Sequence, residues 1–162
     1  AVGLIPHTLA VTTLGERVSI LVGRQKWIPE MHENVVRYGF GDRLASFRVL
    51  RMTVNEFQQD PPHTEDRILE EARRAVEDDG ADVIVLGCTI EFGFYRKVQA
   101  ELGVPVVDAI VGPLRYAELL ADLSRGHGWS HSKRLGYESP DTDELDACLP
   151  VFVPKVTVDP RP

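Results

Sequence analysis

Residues 81–89, ADVIVLGCT, decide the fold class of this chain. A short run of apolar, mostly β-branched residues stops abruptly at Gly87, Cys88 and Thr89. Such a run is typical of a parallel strand that is buried on both faces. In open α/β sheets, ligands bind beyond the carboxyl ends of the strands. The pattern therefore predicts a thiol, that of Cys88, at the ligand-binding edge of a parallel sheet.

Strand and helix patterns alternate on both sides of this stretch. Apolar or alternating runs that end in glycine or polar residues predict four strands, over residues 17–22, 46–52, 82–88 and 104–109. Apolar residues at helical spacing predict helices over residues 6–14, 29–38, 65–79, 92–102 and 113–123, with Thr64 as the cap of the third. This order predicts an α/β fold, a parallel sheet of about four strands with helices on both faces.

The composition of the chain changes near residue 124. Residues 1–124 carry the alternating pattern and are predicted to form one α/β domain. Residues 125–162 are rich in glycine and proline and include the acidic stretch DTDE at 141–144. Such segments are more often extended over a neighbour than folded separately. We therefore predict that residues 125–162 form an extended C-terminal tail.

Length, charge and cysteine content exclude several classes of protein. With 162 residues the chain is long enough for one domain with a core. Its net charge of −7 argues against a nucleic-acid partner, because phosphate contacts need clustered cations. Its two cysteines cannot form a disulfide framework, which favours a reducing, cytoplasmic location. No apolar run approaches the ~20 residues of a membrane span, so no membrane association is predicted.

Cys88 is the strongest candidate for chemistry. A thiol between the end of a strand and the start of a helix loses its proton readily, because exposed amides favour the thiolate. Such a group suits proton abstraction next to a carbonyl. The hydroxyl of Thr89 and the amides of residues 89–91 could bind a carboxylate or imide oxygen. The alternative is that Cys88 is a small buried hydrophobe, and position alone leaves both interpretations open.

Three further residues are predicted near the same edge. Asp108 ends the last predicted strand, where it would orient a substrate or the thiol, or equally cap the following helix. Glu91 is a weaker candidate of the same kind. Gly23 ends the first strand and is expected to border the pocket, although a turn glycine needs no such role.

Other residues and motifs argue against metals and cofactors. Cys148 lies among acidic residues and is interpreted as an incidental thiol. His127 and His131 are separated by Gly128 and make a weak pair of ligands, so no metal site is predicted. Glycine-rich dinucleotide and phosphate motifs, zinc-protease motifs and the serine-hydrolase motif do not occur.

Several stretches, taken in order, resemble a known superfamily. GADVIVLGCT at 80–89, followed by ELGVPVVDAIVGPLRYAELL at 101–120, resembles the second half of the aspartate/glutamate/hydantoin racemase superfamily. Hydantoin racemases are the most similar members. The stretch at 15–50, with its RYG and RLAS patterns, is similar to the segment that precedes it in those proteins. SKRLGYESP at 132–140 resembles their C-terminal end, so the resemblance covers roughly residues 1–139.

This resemblance implies a two-domain α/β architecture with the active site between pseudo-symmetric halves. It implies a cofactor-independent racemase in which one cysteine takes the α-proton and another returns a proton on the opposite face. Cys88 matches the second cysteine, while the first would lie in a missing N-terminal half. The region of Gly87, Thr89 and Ile90 would bind the ring oxygen of a small carbon acid such as a 5-substituted hydantoin.

The resemblance also implies a homo-oligomer, and the isolated 162-residue chain is expected to have little or no activity. The residues after Cys88 depart from the family pattern, because Ile90 stands where glutamate racemases have His, and hydantoin racemases more often have Gly-Cys-Ala-Gly. A decarboxylase of the same superfamily, which needs a single thiol, is one alternative. A non-catalytic α/β binding module is another.

Overall fold

The computed structural model describes residue 6 and residues 10–134 and 141–152. Its centre is a parallel sheet of four strands in the order β2-β1-β3-β4. The strands are β1 (Val18–Val22), β2 (Leu44–Val49), β3 (Val83–Leu86) and β4 (Val106–Val107). The predicted four-stranded parallel sheet is therefore confirmed. Both inner strands, β1 and β3, are buried along their whole length, as the sequence of β3 predicts.

The described residues include six α-helices with defined bounds. They are α1 (Ile28–Arg37), α2 (Glu56–Gln59), α3 (Pro61–Glu77), α4 (Tyr95–Leu102), α5 (Val111–His127) and α6 (Thr142–Phe152). Short helical turns add a π-helical turn at Ala10–Leu14 and 3₁₀ turns at Gln25–Trp27, Gly41–Arg43 and Thr89–Glu91. No helix in the part of the chain described here has the length and apolar character needed to cross a membrane.

Two apolar clusters, one on each face of the sheet, form the core. On one face, Leu21 and Leu86 pack with residues of α3 and α4, including Ile68 and Val98. On the other face, Ile20 and its neighbours in the sheet pack against α1, with Ala10 completing the cluster; the remaining members are Val18, Val22, Met31, Val35, Val83, Val85 and Val107. Alternate residues of β1 serve opposite faces, which explains why an unbroken apolar run is needed there.

The start of α3 differs from the prediction. The helix begins at Pro61, and its cap is Asp60, whose Oδ1 accepts a hydrogen bond from the His63 amide at 3.1 Å. Proline fits the first turn of a helix because those amides have no acceptor inside the helix. Thr64, which we expected to be the cap, is buried instead, and its hydroxyl donates to the Phe57 carbonyl at 3.0 Å.

Two other element boundaries also move for local reasons. The predicted strand at 46–52 lies at Leu44–Val49, and the chain then turns through Arg51, which has a positive φ of 59°. The predicted helix at 92–102 begins only at Tyr95, because Gly93 has a φ of 92°, outside the helical range.

The C-terminal region contains a helix that the sequence analysis did not predict. The chain divides into two compact units between Asp122 and Leu123. The predicted domain organisation, with residues 125–162 as a tail, stays a prediction, but an extended tail is wrong for Thr142–Phe152, which is α6. The Asp141 side chain accepts from the Asp143 amide at 3.0 Å. The acidic stretch is therefore the capped first turn of a helix, where negative charge is favourable.

Gly87 provides a direct test of the close approach between β1 and β3. A Cβ atom at this position would lie 2.2 Å from the Leu21 carbonyl oxygen. We predict that Gly87→Ala lowers the free energy of unfolding by about 1–3 kcal/mol, measured by urea denaturation, because backbone cannot move aside cheaply. Gly126→Ala is the matched control, since open space surrounds that position in α5. It should leave stability unchanged or raise it by up to about 1 kcal/mol.

Candidate active site

The carboxyl ends of three strands meet at one edge of the sheet. Beyond β1 and β3, the Gly87 amide donates to the Leu21 carbonyl oxygen at 2.8 Å. Beyond β1 and β2, the Met52 amide donates to the Gly23 carbonyl oxygen at 2.9 Å. The ladder of backbone hydrogen bonds thus continues past the strands and places Gly23, Met52 and Gly87 side by side. This is the edge at which parallel α/β sheets bind ligands.

A cavity of about 210 Å³ opens at this edge. Gly23, Gly87 and Cys88 contribute to its lining, so the structure brings together three of the predicted site residues. The rest of the lining is largely apolar with a charged rim, and comprises Val22, Arg24, Lys26, Trp27, Glu30, Met31, Met52, Thr53, Val54 and Phe57. Such a combination of apolar walls and a few polar groups is typical of small-molecule sites.

Cys88 presents a half-buried thiol to this cavity. It forms no disulfide with any described residue. Its backbone is extended, with φ −138° and ψ 143°, and continues the direction of β3. The element after it is the 3₁₀ turn Thr89–Glu91, and α4 starts only at Tyr95. The expected position at the start of a regular helix is therefore wrong, and the thiol stands at a tight turn.

Gly23 and Gly87 shape the cavity because neither residue carries a Cβ atom. A Cβ atom at Gly23 would lie 2.9 Å from the Met52 carbonyl oxygen and 3.2 Å from the Phe57 ring. Gly87 is even more restricted, and its amide is already used by Leu21. Gly87 therefore contributes close packing of the backbone next to Cys88 and has no free donor for a ligand.

Thr89 and Ile90 follow Cys88 but lie outside the cavity lining. Thr89 is exposed, whereas Ile90 is half-buried against the core. The Gln58 side chain donates to the Ile90 carbonyl oxygen at 3.3 Å and ties the turn to α2. Among the described residues, the amides of Thr89 and Ile90 have no acceptor, while the Glu91 amide donates to the Cys88 carbonyl at 3.0 Å.

Asp108 is buried at the end of β4 and does not line the cavity. Its Oδ1 accepts from the amides of Ile110 and Val111, at 2.7 and 3.0 Å, at the start of α5. Its Oδ2 accepts from the Gly93 amide at 2.9 Å. The capping role that the sequence analysis left open is thus the one that its hydrogen bonds support. The carboxylate also anchors the segment that follows Cys88.

Glu91 is the residue whose environment the sequence analysis missed. Its side chain is fully buried, and neither carboxyl oxygen has a hydrogen-bond partner among the described residues. Burial raises the pKa of Glu91 to about 8, and the negative charge of Asp108 adds to the effect. The amides of Gly87 and Cys88 lie close enough to favour the ionised form, without reaching hydrogen-bond geometry. Glu91 is therefore mostly uncharged at neutral pH.

The sequence places Glu91 close to Cys88 but does not indicate that its side chain is buried. Glu91 lies three residues after Cys88, at the end of the 3₁₀ turn that follows the thiol. A glutamate in a short polar turn is nevertheless expected to be exposed to solvent. Its burial depends on α2 and on the segment after β4, which are distant in sequence. In the described residues, no group of three His, Cys, Asp or Glu side chains could hold a metal ion.

The raised pKa of Glu91 predicts how stability depends on pH. The unfolded chain loses this proton near its ordinary pKa of 4.5, whereas the folded chain keeps it until about pH 8. The folded state therefore binds more protons between these values, and stability falls as pH rises through that window. We predict that Glu91→Gln removes about 2–4 kcal/mol of this loss between pH 5 and pH 8.5, measured by urea denaturation.

Glu71 supplies the control for this experiment. It is also buried, but Arg67 and Arg74 each approach its Oε1 at 3.1 Å. Glu71→Gln should lower stability at neutral pH, because it weakens two ion pairs. Equal pH slopes for wild type and Glu91→Gln would contradict the assignment of a protonated Glu91.

Comparisons with known proteins agree on one family. The profile of the Asp/Glu/Hydantoin racemase family matches residues 5–111. A hydantoin racemase of Pseudomonas sp. (strain NS671) is 32% identical over 139 residues, which are 86% of this chain and 54% of that protein. A hydantoin racemase of Paenarthrobacter aurescens is 38% identical over 123 residues, which are 76% of this chain and 49% of that protein. The chain thus spans about half the length of these relatives.

Solved structures show the same fold. The crystal structure of an allantoin racemase from Pseudomonas fluorescens matches with a TM-score of 0.72 and 31% identity, over 83% of this chain and 57% of that one. An arylmalonate decarboxylase matches with a TM-score of 0.53 and 21% identity, over 82% of this chain and 56% of that one. The second likeness concerns the fold alone.

Proposed function

This chain belongs to the Asp/Glu/hydantoin racemase family, and on that premise we propose that it supplies one proton-transferring thiol, Cys88, to a cofactor-independent racemase or epimerase. The proposed substrate is a small carbon acid such as a 5-substituted hydantoin. Relatives that carry the names hydantoin racemase and allantoin racemase support this substrate class. Both names describe five-membered rings with an acidic C–H beside a carbonyl.

The observation that carries the proposal is the position of Cys88. Its thiol lies at the carboxyl edge of the sheet, is half-buried, and lines a mainly apolar cavity beside two glycines. A sulfur serving only as packing would be enclosed by the core, as Leu86 is two residues earlier. Partial exposure at a cavity is instead what a reactive thiol needs.

The chemistry follows from the acidity of the ring carbon. A thiolate at Cys88 takes the proton from C5, and the electron pair moves into the adjacent carbonyl to give a planar enolate. A second acid on the opposite face then gives C5 a proton, and the electron pair returns from the oxygen to carbon. Delivery to the other face inverts the configuration, and the two acids have exchanged protonation states. General acid–base groups of this kind contribute about 10²–10⁴-fold to the rate.

The negative charge that develops on the carbonyl oxygen needs donors nearby. The amides of Thr89 and Ile90 have no acceptor among the described residues and follow directly after Cys88. We assign them the task of stabilising the enolate oxygen, in the manner of an oxyanion hole. The Gly87 amide is excluded from this task because it donates to Leu21.

The second acid belongs, in this proposal, to another half of the same fold. The relatives are about twice as long as the matched region. Helix α5 contributes no buried side chain in the described part of the chain, and leaves Leu114, Leu119 and Leu120 between 46% and 55% exposed. Apolar helix surfaces of this kind need a covering partner. We propose that the other half covers α5 and completes the cleft.

Replacement of Cys88 tests the catalytic role. In the complete protein, Cys88→Ser should reduce racemisation of a 5-substituted hydantoin by about 10²–10⁴-fold, because a hydroxyl is a far weaker base than a thiolate at neutral pH. Loss of optical rotation and exchange of the C5 hydrogen in deuterium oxide are the two measurements. Both should fall together.

Cys148 provides the matched thiol control, because it lies outside the α/β domain that we predict and should tolerate replacement by serine. Unchanged racemisation in Cys88→Ser would overturn the proposal. Release of carbon dioxide from a disubstituted malonate, without exchange on hydantoins, would point to the decarboxylase alternative. A Cys88 thiol with no effect on either reaction would support a binding module.

A further prediction concerns the 162-residue chain by itself. Without the other half we expect no measurable racemisation, because only one face of the substrate meets a proton-transferring group. Adding the first half of a related racemase as a separate polypeptide should restore turnover, with rates that depend on Cys88. Full activity of the isolated chain at low concentration would contradict the two-half site.

A further inference from the structure

Glu91 stands out as a buried acid that the proposed reaction does not use. Its side chain is fully enclosed, and both of its oxygens lack a hydrogen-bond partner among the described residues. Native structures leave few buried polar atoms unpaired, so each one calls for a physical explanation. Its position gives that explanation, because it is three residues after Cys88 in the turn that carries the thiol.

Two buried acids, Asp108 and Glu91, lie at this turn and the segment after it, and they differ in their hydrogen bonds. Asp108 accepts from the Gly93 amide at 2.9 Å and from the amides of Ile110 and Val111. Its two carboxyl oxygens therefore accept three amide hydrogen bonds. Glu91 has no such donors and lies within the field of Asp108. Two neighbouring buried carboxyls cannot both be charged at low cost, so Glu91 is the one that stays neutral.

We propose that uncharged Glu91 is a positioning residue, which packs beneath the turn from Gly87 to Glu91 and thereby holds the Cys88 thiol towards the cavity. This inference rests on the proposed role of Cys88 as the functional thiol. Glu91 does not touch the cavity, so it acts only through the turn. When Glu91 ionises, the charge can remain neither in an apolar site nor beside Asp108, and the turn must shift.

The charged and titratable groups around Glu91 are few. On its own turn there is the Cys88 thiol, and from the segment after β4 there is Asp108. Helix α2 packs against the turn, and its Glu56 is engaged elsewhere, accepting from the Thr53 amide and hydroxyl at 2.6 and 2.8 Å. Gln58 of the same helix reaches the Ile90 carbonyl and carries no charge. A pH-dependent difference in Cys88 reactivity between wild type and Glu91→Gln is therefore attributable to Glu91, because the ionisation of the thiol itself is common to both.

The test is the rate of alkylation of Cys88 by iodoacetamide between pH 5.5 and pH 9.5, in a chain whose Cys148 is replaced by serine. Glu91→Gln keeps the shape of the side chain and removes its titration. The ratio of wild-type to Glu91→Gln rates should be constant up to about pH 7 and fall at least about threefold by pH 9.5. The midpoint of that fall should coincide with the titration of the Glu91 carboxyl carbon by NMR.

Glu71→Gln is the control for loss of a buried carboxyl far from the thiol, and its rate ratio should not change with pH. A ratio that is independent of pH in Glu91→Gln overturns the proposal. A ratio that rises with pH also overturns the proposal, because ionisation of Glu91 would then make the Cys88 thiol more reactive. A purely structural effect of the substitution would scale all rates equally and would also count against the proposal.

Two further measurements keep the proposal open to refutation. If Glu91→Gln does not fold, the wild-type profile alone must depart from a single-thiol titration where the Glu91 carbon titrates, and a simple profile refutes the proposal. The alkylation needs no substrate, so its outcome is separate from that of the racemisation assay. In the complete protein, kcat should fall above pH 8 in wild type and not in Glu91→Gln, with KM unchanged.

Discussion

The close approach of β1 and β3 at their carboxyl ends is the constraint on which the site depends. The Gly87 amide donates to the Leu21 carbonyl at 2.8 Å, in space that no side chain at position 87 could share. Because Gly87 is fixed against β1, the next residue emerges at a defined point on the edge of the sheet. The position of Cys88 therefore depends on the backbone hydrogen bond from Gly87 to Leu21 and on the absence of a Cβ atom at Gly87. The core on both faces keeps the two strands in register.

Behind this edge, the two buried acids Asp108 and Glu91 have different roles. Asp108 joins the start of α5 to Gly93 by accepting amide hydrogen bonds. Glu91 is enclosed without donors, which raises its pKa to about 8. Because the unfolded chain ionises near pH 4.5 and the folded chain only near pH 8, the stability lost by burying this group grows as pH rises through that window. The segment after Cys88 is therefore held by one acid that accepts amide hydrogen bonds and contains a second acid that stays neutral up to about pH 8.

The sequence was sufficient for the sheet and for Cys88, because both depend on local patterns. The apolar run at Val83–Leu86 and the glycine after it determine a buried strand and its end. The burial of Glu91 was not predicted because it depends on α2 and on Asp108, which are distant in sequence. Asp60 competes with Thr64 as a helix cap, and only the two prolines in the first turn favour the earlier start. The acidic residues at the start of α6 were assigned to an extended tail, although the same charges favour the start of a helix.

The geometry of the edge also bears on the proposal that a second half completes the site. Parallel strands present their carboxyl ends in one direction, so Cys88, Gly23 and Gly87 approach a ligand from one side only. In the proposed racemisation, inversion at carbon requires a donor on each face of a planar intermediate, and Cys88 supplies one of them. The apolar surface of α5 lies uncovered in the same domain. A partner that buries this surface and brings a second acid to the open side would satisfy both requirements with one interface.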